Sequence, residues 1–228
     1  MGYIYVNFLW NTAISTTEPI VMLIINYAGN TEAAAPYANP FKALVPAAIE
    51  EGEVPYSQIA NVSQTDVNDE VCAHGTQHLL FAADLLTYNI STNRAIYELF
   101  KNMTVAYPEF RTSIVLFESY SQQGVKAVEF DSTAFPNRES NIVFSIVIQY
   151  APEPSLDEIS LAWGTQTRSL AHAGEAAGSD LHVYVNYAFG GETLESLYGY
   201  EPWRLEKLRR LKKEWDPYNK FGYYLPIS

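Results

Sequence analysis

Residues 20–25 read Ile-Val-Met-Leu-Ile-Ile, six apolar side chains without a polar break, closed by Asn26-Tyr27-Ala28-Gly29. Such a run has no face to offer water, and it is far short of the roughly 20 residues that span a bilayer. It is a buried strand, and a chain that contains it must build layers to cover it. The other segments supply those layers. Residues 3–10 (YIYVNFLW) alternate as a strand, and residues 112–121 (TSIVLFESYS) and 140–151 (SNIVFSIVIQYA) add two more. Residues 125–130 (VKAVEF) read as the return arm of a hairpin turning near Gln122 to Gly124.

Helical spacing appears three times. Ile96, Leu99, Phe100 and Met103 share one face, with Asn93 as the expected cap. Leu156, Ile159, Trp163 and Leu170 form a second stripe, opened by Pro154 and a Ser155/Glu158 capping box and ended before Gly174. Leu205, Leu208, Leu211 and Trp215 form a third, opened by Pro202, with Lys212 and Lys213 at its C-terminal end and Asp216-Pro217 as the stop. Residues 33–58 are rich in proline and alanine and read as loop with short helical pieces, and residues 60–90 show no firm period. The order predicts an α+β fold, a mostly antiparallel sheet covered on one face by helices. There is no repeat and no linker, so residues 1–228 form one domain.

Charge and cysteine usage exclude several classes of function. The net charge is −12, and seven of the 14 Lys and Arg residues fall between Arg204 and Lys220, which leaves the rest more acidic still. No basic surface exists for a nucleic-acid backbone. A single cysteine, Cys72, rules out an internal disulfide framework. No stretch is long enough for a membrane span, and the N-terminus lacks the basic start and small-residue cleavage site of a signal peptide. Sequons at Asn61, Asn89 and Asn102 would accept glycans in a secreted protein.

Sites of familiar chemistry are scarce. Cys72, His74 and His78 lie close together, but Gly75 interrupts any helix between them and no fourth ligand is spaced nearby, so no metal is expected. There is no nucleophile elbow, and Gly190-Gly191 stands without the rest of a phosphate-binding loop. What stands out is polar residues at the ends of apolar runs. Gln149 and Tyr150 end one strand. Residues 181–187 (LHVYVNY) read as another, with His182, Tyr184 and Asn186 on one side and Tyr187 at its end. A neutral amide and a phenol can bind a ligand without burying a charge, and they can equally cap strand ends or bond to a loop.

Residues 184–228, YVNYAFGG followed by LYGYEPWRLEKLRRLKKEWDPYNKFGYYLPIS, resemble the C-terminal segment of the berberine-bridge-enzyme-like FAD-linked oxidoreductases. The matching positions are Tyr184, Asn186, Tyr187, Gly199, Arg204, Leu205, Leu208, Leu211, Lys212, Asp216, Pro217, Asn219 and Phe221. Residues 132–150 are similar to that family's Phe-Pro-His-Arg turn and the strand after it, with Asn137 in place of histidine. Residues 25–44 resemble the start of its substrate domain. The resemblance implies a substrate-binding domain whose uncovered sheet face meets a flavin. It implies catalytic contacts at Tyr187 and Gln149, although Gln149 lies further from Arg138 than the family spacing, and cofactor contacts at Asn186 and Tyr184. A phenolate or a hydrogen-bonded phenol at Tyr187 would take a substrate hydroxyl proton, and Gln149 would orient the substrate. The implied activity is FAD-dependent oxidation of an alcohol, sugar or alkaloid-like small molecule. The chain has no pyrophosphate grip of its own, so the flavin is expected from a separate flavin-binding domain, and the uncovered face should favour that partner or self-association. The alternatives are a flavin-free binding module that has lost redox chemistry and a cofactor-independent cyclase. Secretion is a family trait that the N-terminus does not support.

Overall fold

A computed structural model describes residues 2–66 and 72–227. Five strands form one antiparallel sheet: β1 (Gly2–Leu9), β2 (Ile20–Tyr27), β3 (Gln77–Leu85), β4 (Ile114–Tyr120) and β5 (Ile142–Tyr150), in the order β2-β1-β4-β5-β3. The expected fold class is the one observed. β3 was not anticipated. Its residues 81–85 are buried throughout, so the alternation that marks a half-wet strand is missing there.

Register fixes the two faces. Phe117 lies opposite Phe144, and Val115 opposite Ile146, which in turn faces Phe81. These side chains, with Phe8, Ala83, Leu85, Ile148 and Tyr150, point at helices α3 (Ile90–Ala106) and α5 (Asp157–Ala173) and build the main core with Ile96, Phe100, Phe110 and Trp163. α5 lies against β3 closely enough that a Cβ on Gly164 would sit 2.1 Å from the Phe81 ring. Phe110 and Phe100 flank Trp163 with ring centroids at 5.3 and 5.9 Å, distances at which aromatic pairs add to plain burial.

The helix ends differ from expectation in instructive ways. α3 begins one turn before Asn93: Asn89 is the cap, accepting from Thr92 N at 3.1 Å, while its amide donates to Gly174 O at 3.2 Å. Asn93 is instead buried inside the helix. The expected capping box does not form. A 3₁₀ turn, Pro154–Leu156, leads into α5, and Ser155 Oγ bonds Glu153 rather than a helix amide. The proline- and alanine-rich stretch holds a 12-residue helix, α1 (Thr31–Lys42), capped by Asn30, and a one-turn helix, α2 (Ile59–Val62), follows. Residues 125–130 form no hairpin arm: α4 (Gln123–Lys126) coils there instead, and β4 pairs with β1 and β5. α6 (Leu194–Tyr198) and α7 (Pro202–Trp215) close the chain. Only the first turn of α7 is buried, through Arg204 and Leu205. Leu208 is half-buried and Leu211 and Trp215 are exposed, so the anticipated stripe is covered at its start and turns outward toward its end.

Candidate functional site

Residues 181–187 do not form a strand. Val183 is fully buried, but its neighbours on both sides are only half-buried, and the backbone makes one sheet-edge bond, Asp84 N to His182 O at 2.8 Å. It then leaves β3 and turns through a 3₁₀ turn, Val185–Tyr187. The segment wraps from the β3 edge onto the face opposite the helices. There Val183, Ala188 and Leu197 pack with Ala82 as a small second core. Two further contacts hold the wrap. The Glu192 carboxylate accepts from the amides of Phe189 and Gly190 at 3.1 and 2.7 Å and pairs with Arg168 at 2.5 Å. Tyr224 Oη donates to Ala188 O at 2.8 Å.

On this second face a polar row crosses the sheet. Asp84, Val143, Glu118 and Tyr5 are consecutive cross-strand neighbours, and Tyr3 pairs with Tyr120 one step along. Glu118 is 5% exposed, and its carboxylate accepts hydrogen bonds from two phenols, Tyr120 at 2.5 Å and Tyr187 from the wrapped segment. Tyr5 bonds Tyr120 at 2.8 Å, and the Tyr3, Tyr5 and Tyr120 rings lie within 6.0 Å of one another. Tyr184 meets Tyr187 edge-on at 5.3 Å, and Asn186 donates to Tyr184 Oη at 2.8 Å.

The electrostatics follow from this enclosure. Burial pushes the Glu118 carboxyl above the ordinary range, against the pull of its two phenol donors. Burial also raises Tyr187, and the Glu118 charge raises it further. Tyr120 and Tyr5 are raised by burial as well. The cluster is therefore an anionic or protonated carboxyl ringed by neutral phenols.

Three of the four site residues expected from the sequence gather here: Tyr184, Asn186 and Tyr187. Gln149 does not join them. It is buried at the far end of β5, opposite His78, with Nε2 3.5 Å from Thr76 Oγ1. Six residues separate it from Val143, the cross-strand neighbour of Glu118, which is about 20 Å of strand. Sequence reasoning missed Glu118 and Tyr5, which look like the wet face of an ordinary alternating strand. Among the described residues no group of three or more His, Cys, Asp or Glu could hold a metal. The surface hollows beside Lys126 and Arg138 (170 Å³) and beside Trp203 and Arg210 (360 Å³) lie elsewhere, because the polar row is a face rather than a cleft.

Would this face accept a flavin? Apart from Glu118 and Asp84, the hydrogen-bonding groups of this face are flat and uncharged: phenols, one exposed amide, and the buried Asn7, whose Oδ1 is an acceptor without a partner. That set suits the ring. Neither β1, β4 nor residues 181–192 contain a Lys or Arg that could meet a pyrophosphate. The face fits the isoalloxazine end of FAD and not its dinucleotide end.

The molecule is thus an antiparallel sheet with helices on one face and a carboxylate–phenol row on the other. No family model matches the chain. Curated relatives do. An FAD-linked oxidoreductase, anuG, from Penicillium roqueforti is 37% identical over 96% of this chain and 43% of its own length. Another, iacH, from Pestalotiopsis fici is 36% identical over 100% of this chain and 44% of its own. Among solved structures, a berberine bridge enzyme variant described as a reticuline dehydrogenase superposes with TM-score 0.72 at 15% identity, covering 99% of this chain and 48% of that one. The wild-type berberine-bridge-like protein 1 of Physcomitrella patens gives 0.66 at 18% identity, covering 99% and 47%. Over the part of them that it spans, the chain is similar in sequence to these FAD-linked oxidoreductases and has the fold of the berberine-bridge-enzyme-like proteins. It spans slightly less than half the length of these relatives.

Proposed function

We propose that this chain is the substrate-binding half of an FAD-dependent oxidoreductase that dehydrogenates an alcohol, sugar or alkaloid-like small molecule. The observation that carries the reading is the Tyr187–Glu118 hydrogen bond on the sheet face opposite the helices. A flavin bound there would supply the hydride acceptor. The chain's own residues handle the proton. Because Tyr187 is raised well above an ordinary phenol, it is protonated at neutral pH and does not act as a free phenolate. It acts instead as a relay: its Oη takes the substrate hydroxyl proton while its own proton passes to Glu118, which burial has made more basic. Tyr184 holds the Tyr187 ring edge-on, and Asn186 orients Tyr184. Gln149 has no part in this step.

The complementary flavin-binding domain is the proposed partner. The C-terminal segment leaves Trp215, Tyr218, Phe221 and Tyr223 exposed, a run of aromatics that ordinarily marks a contact surface.

The test is to join this chain to the flavin-bearing portion of the 37%-identical relative and record the visible spectrum and turnover with a panel of alcohols. Flavin absorbance with turnover supports the reading. Tyr187→Phe should then cost at least about tenfold in turnover, and Glu118→Gln a comparable factor. A colourless protein that takes up no FAD would favour a flavin-free binding module, and full activity in Tyr187→Phe would remove the relay.

A further inference from the structure

Beside the site lies a second buried carboxyl that the proposed chemistry does not use. Asp84 is 8% exposed, and Asn137, 6% exposed, donates its amide to Asp84 Oδ2. The other two oxygens of the pair, Asp84 Oδ1 and Asn137 Oδ1, are both buried and both without a donor. An ionised carboxylate would leave both of these acceptors unsatisfied, each at the cost of burying an unpaired polar atom. A neutral carboxylic acid removes both defects with one bond, Asp84 O–H to Asn137 Oδ1, and closes a cyclic acid–amide pair.

The pair sits where three pieces of the site meet. Asp84 N holds His182 O at 2.8 Å, the edge bond that starts the wrapped segment. Asn137 ends the turn that presents Phe135, whose ring meets Tyr184 edge-on at 6.4 Å. The same turn is tied to α7, because Arg204 donates to Phe130 O at 2.9 Å and to Thr133 O at 3.5 Å.

We infer that Asp84 and Asn137 form a neutral acid–amide latch that holds the segment bearing Tyr184 and Tyr187 on the sheet, and that the latch releases when Asp84 ionises. Both are positioning residues. Among the described residues no cation acts on Asp84, whose carboxyl is governed by burial and the Asn137 amide. Glu118 lies two strands away in the same row, and Asp180, His182 and Glu201 belong to the covering elements. The His182 imidazole is pushed down by burial, and its Nδ1 has no partner. Arg138, next in chain to Asn137, bonds Val125 O and Thr133 Oγ1 and leaves its buried Nε without a partner, but its charge is not among the influences on Asp84. Burial agrees with the geometry, lifting Asp84 to about 7.

The latch rests on geometry alone, whereas its consequence for turnover rests on the relay role proposed for Tyr187. Its test therefore uses the chain without flavin. Carbon-13 NMR of aspartate-labelled protein should show one carboxyl titrating near neutrality, absent in Asp84→Asn. Amide hydrogen exchange across 181–188 should rise between pH 6 and 8 by about tenfold more than base catalysis alone predicts, as local opening becomes easier. In Asp84→Asn, whose amide cannot ionise, that excess should vanish. A spectrum in which every aspartate titrates below pH 5, or an excess that persists in Asp84→Asn, would overturn the inference. If Asp84→Asn does not fold, Asn137→Ala decides: exchange at 181–188 should already be fast at pH 6, and slow exchange there sinks the latch. In the joined enzyme the same loss should appear as an alkaline limb in the pH profile that Asp84→Asn lacks.

Discussion

A carboxylate on a strand ordinarily faces water, but Glu118 faces two phenols. The residues around it look ordinary in sequence. Glu118 and Tyr120 alternate with Phe117 as half-wet strand residues do, and nothing in residues 112–121 signals that their polar side is covered by a segment some 70 positions later. Tyr187 was legible because the polar residues around it are unusual at the end of an apolar run. If the Glu118 charge helps to hold Tyr187 high, Glu118→Gln should lower the Tyr187 titration toward that of an ordinary phenol. Carbon-13 tyrosine labelling would follow it, and an unmoved resonance would count against the pairing. A second residue-scale prediction concerns space. Gly164→Ala forces a methyl into the Phe81 ring and should lower stability by about 1–3 kcal/mol in urea unfolding. At Gly199 the backbone adds a second obstacle, since its φ of 103° disfavours any side chain and a Cβ would also lie 2.6 Å from Arg204 Cδ.

Among the elements, those with a strong period were readable and those shaped by distant contacts were not. β1, β2, β4, β5, α3, α5 and α7 all occupy the segments whose pattern announced them, but β2 is not the buried strand its apolar run announced: it lies at the sheet edge, half-covered, with Val21 59% exposed. β3 hid because both its faces are covered, and residues 181–187 misled because alternation in sequence does not by itself require a paired backbone. The backbone there bonds to one edge amide and not to a ladder. α7 shows the converse: helical spacing identified the helix but not what covers it. Leu205→Ala, buried, should cost about 2–5 kcal/mol, while Trp215→Ala, 77% exposed, should change stability by less than about 0.5 kcal/mol. Thermal melts of the two variants would separate these cases. At the start of α3, Asn89→Ala removes a cap and a tether to Gly174 and should cost about 1 kcal/mol.

For the whole molecule, the buried carboxyls set the direction of the pH response. Asp84 moves from 3.8 to about 7 on folding. Below pH 4 both folded and unfolded chains hold the proton, so its contribution is fully present. Between pH 4 and 7 only the folded chain holds it, and stability falls by up to about 4 kcal/mol, then levels off. Glu118 is displaced in the same direction. Urea midpoints should therefore drop from pH 5 to pH 7.5, and Asp84→Asn should flatten the decline.

The sheet order β2-β1-β4-β5-β3 has a consequence for how the chain is made. Tyr5 and Tyr120, bonded across β1 and β4, are 115 residues apart. From Tyr27, the end of β2, to Tyr120, the end of β4, the chain must still be made, so at a synthesis rate of about 5–20 residues per second the β1–β2 hairpin waits roughly 5 to 19 seconds for the strand that completes its inner edge. Closing so long a loop costs entropy before any contact repays it. Through that interval the hairpin presents both an open row of amides and the apolar run Ile20–Ile25 to whatever lies nearby. The yield of folded chain should therefore depend more on shielding this early hairpin during synthesis than on the stability finally reached.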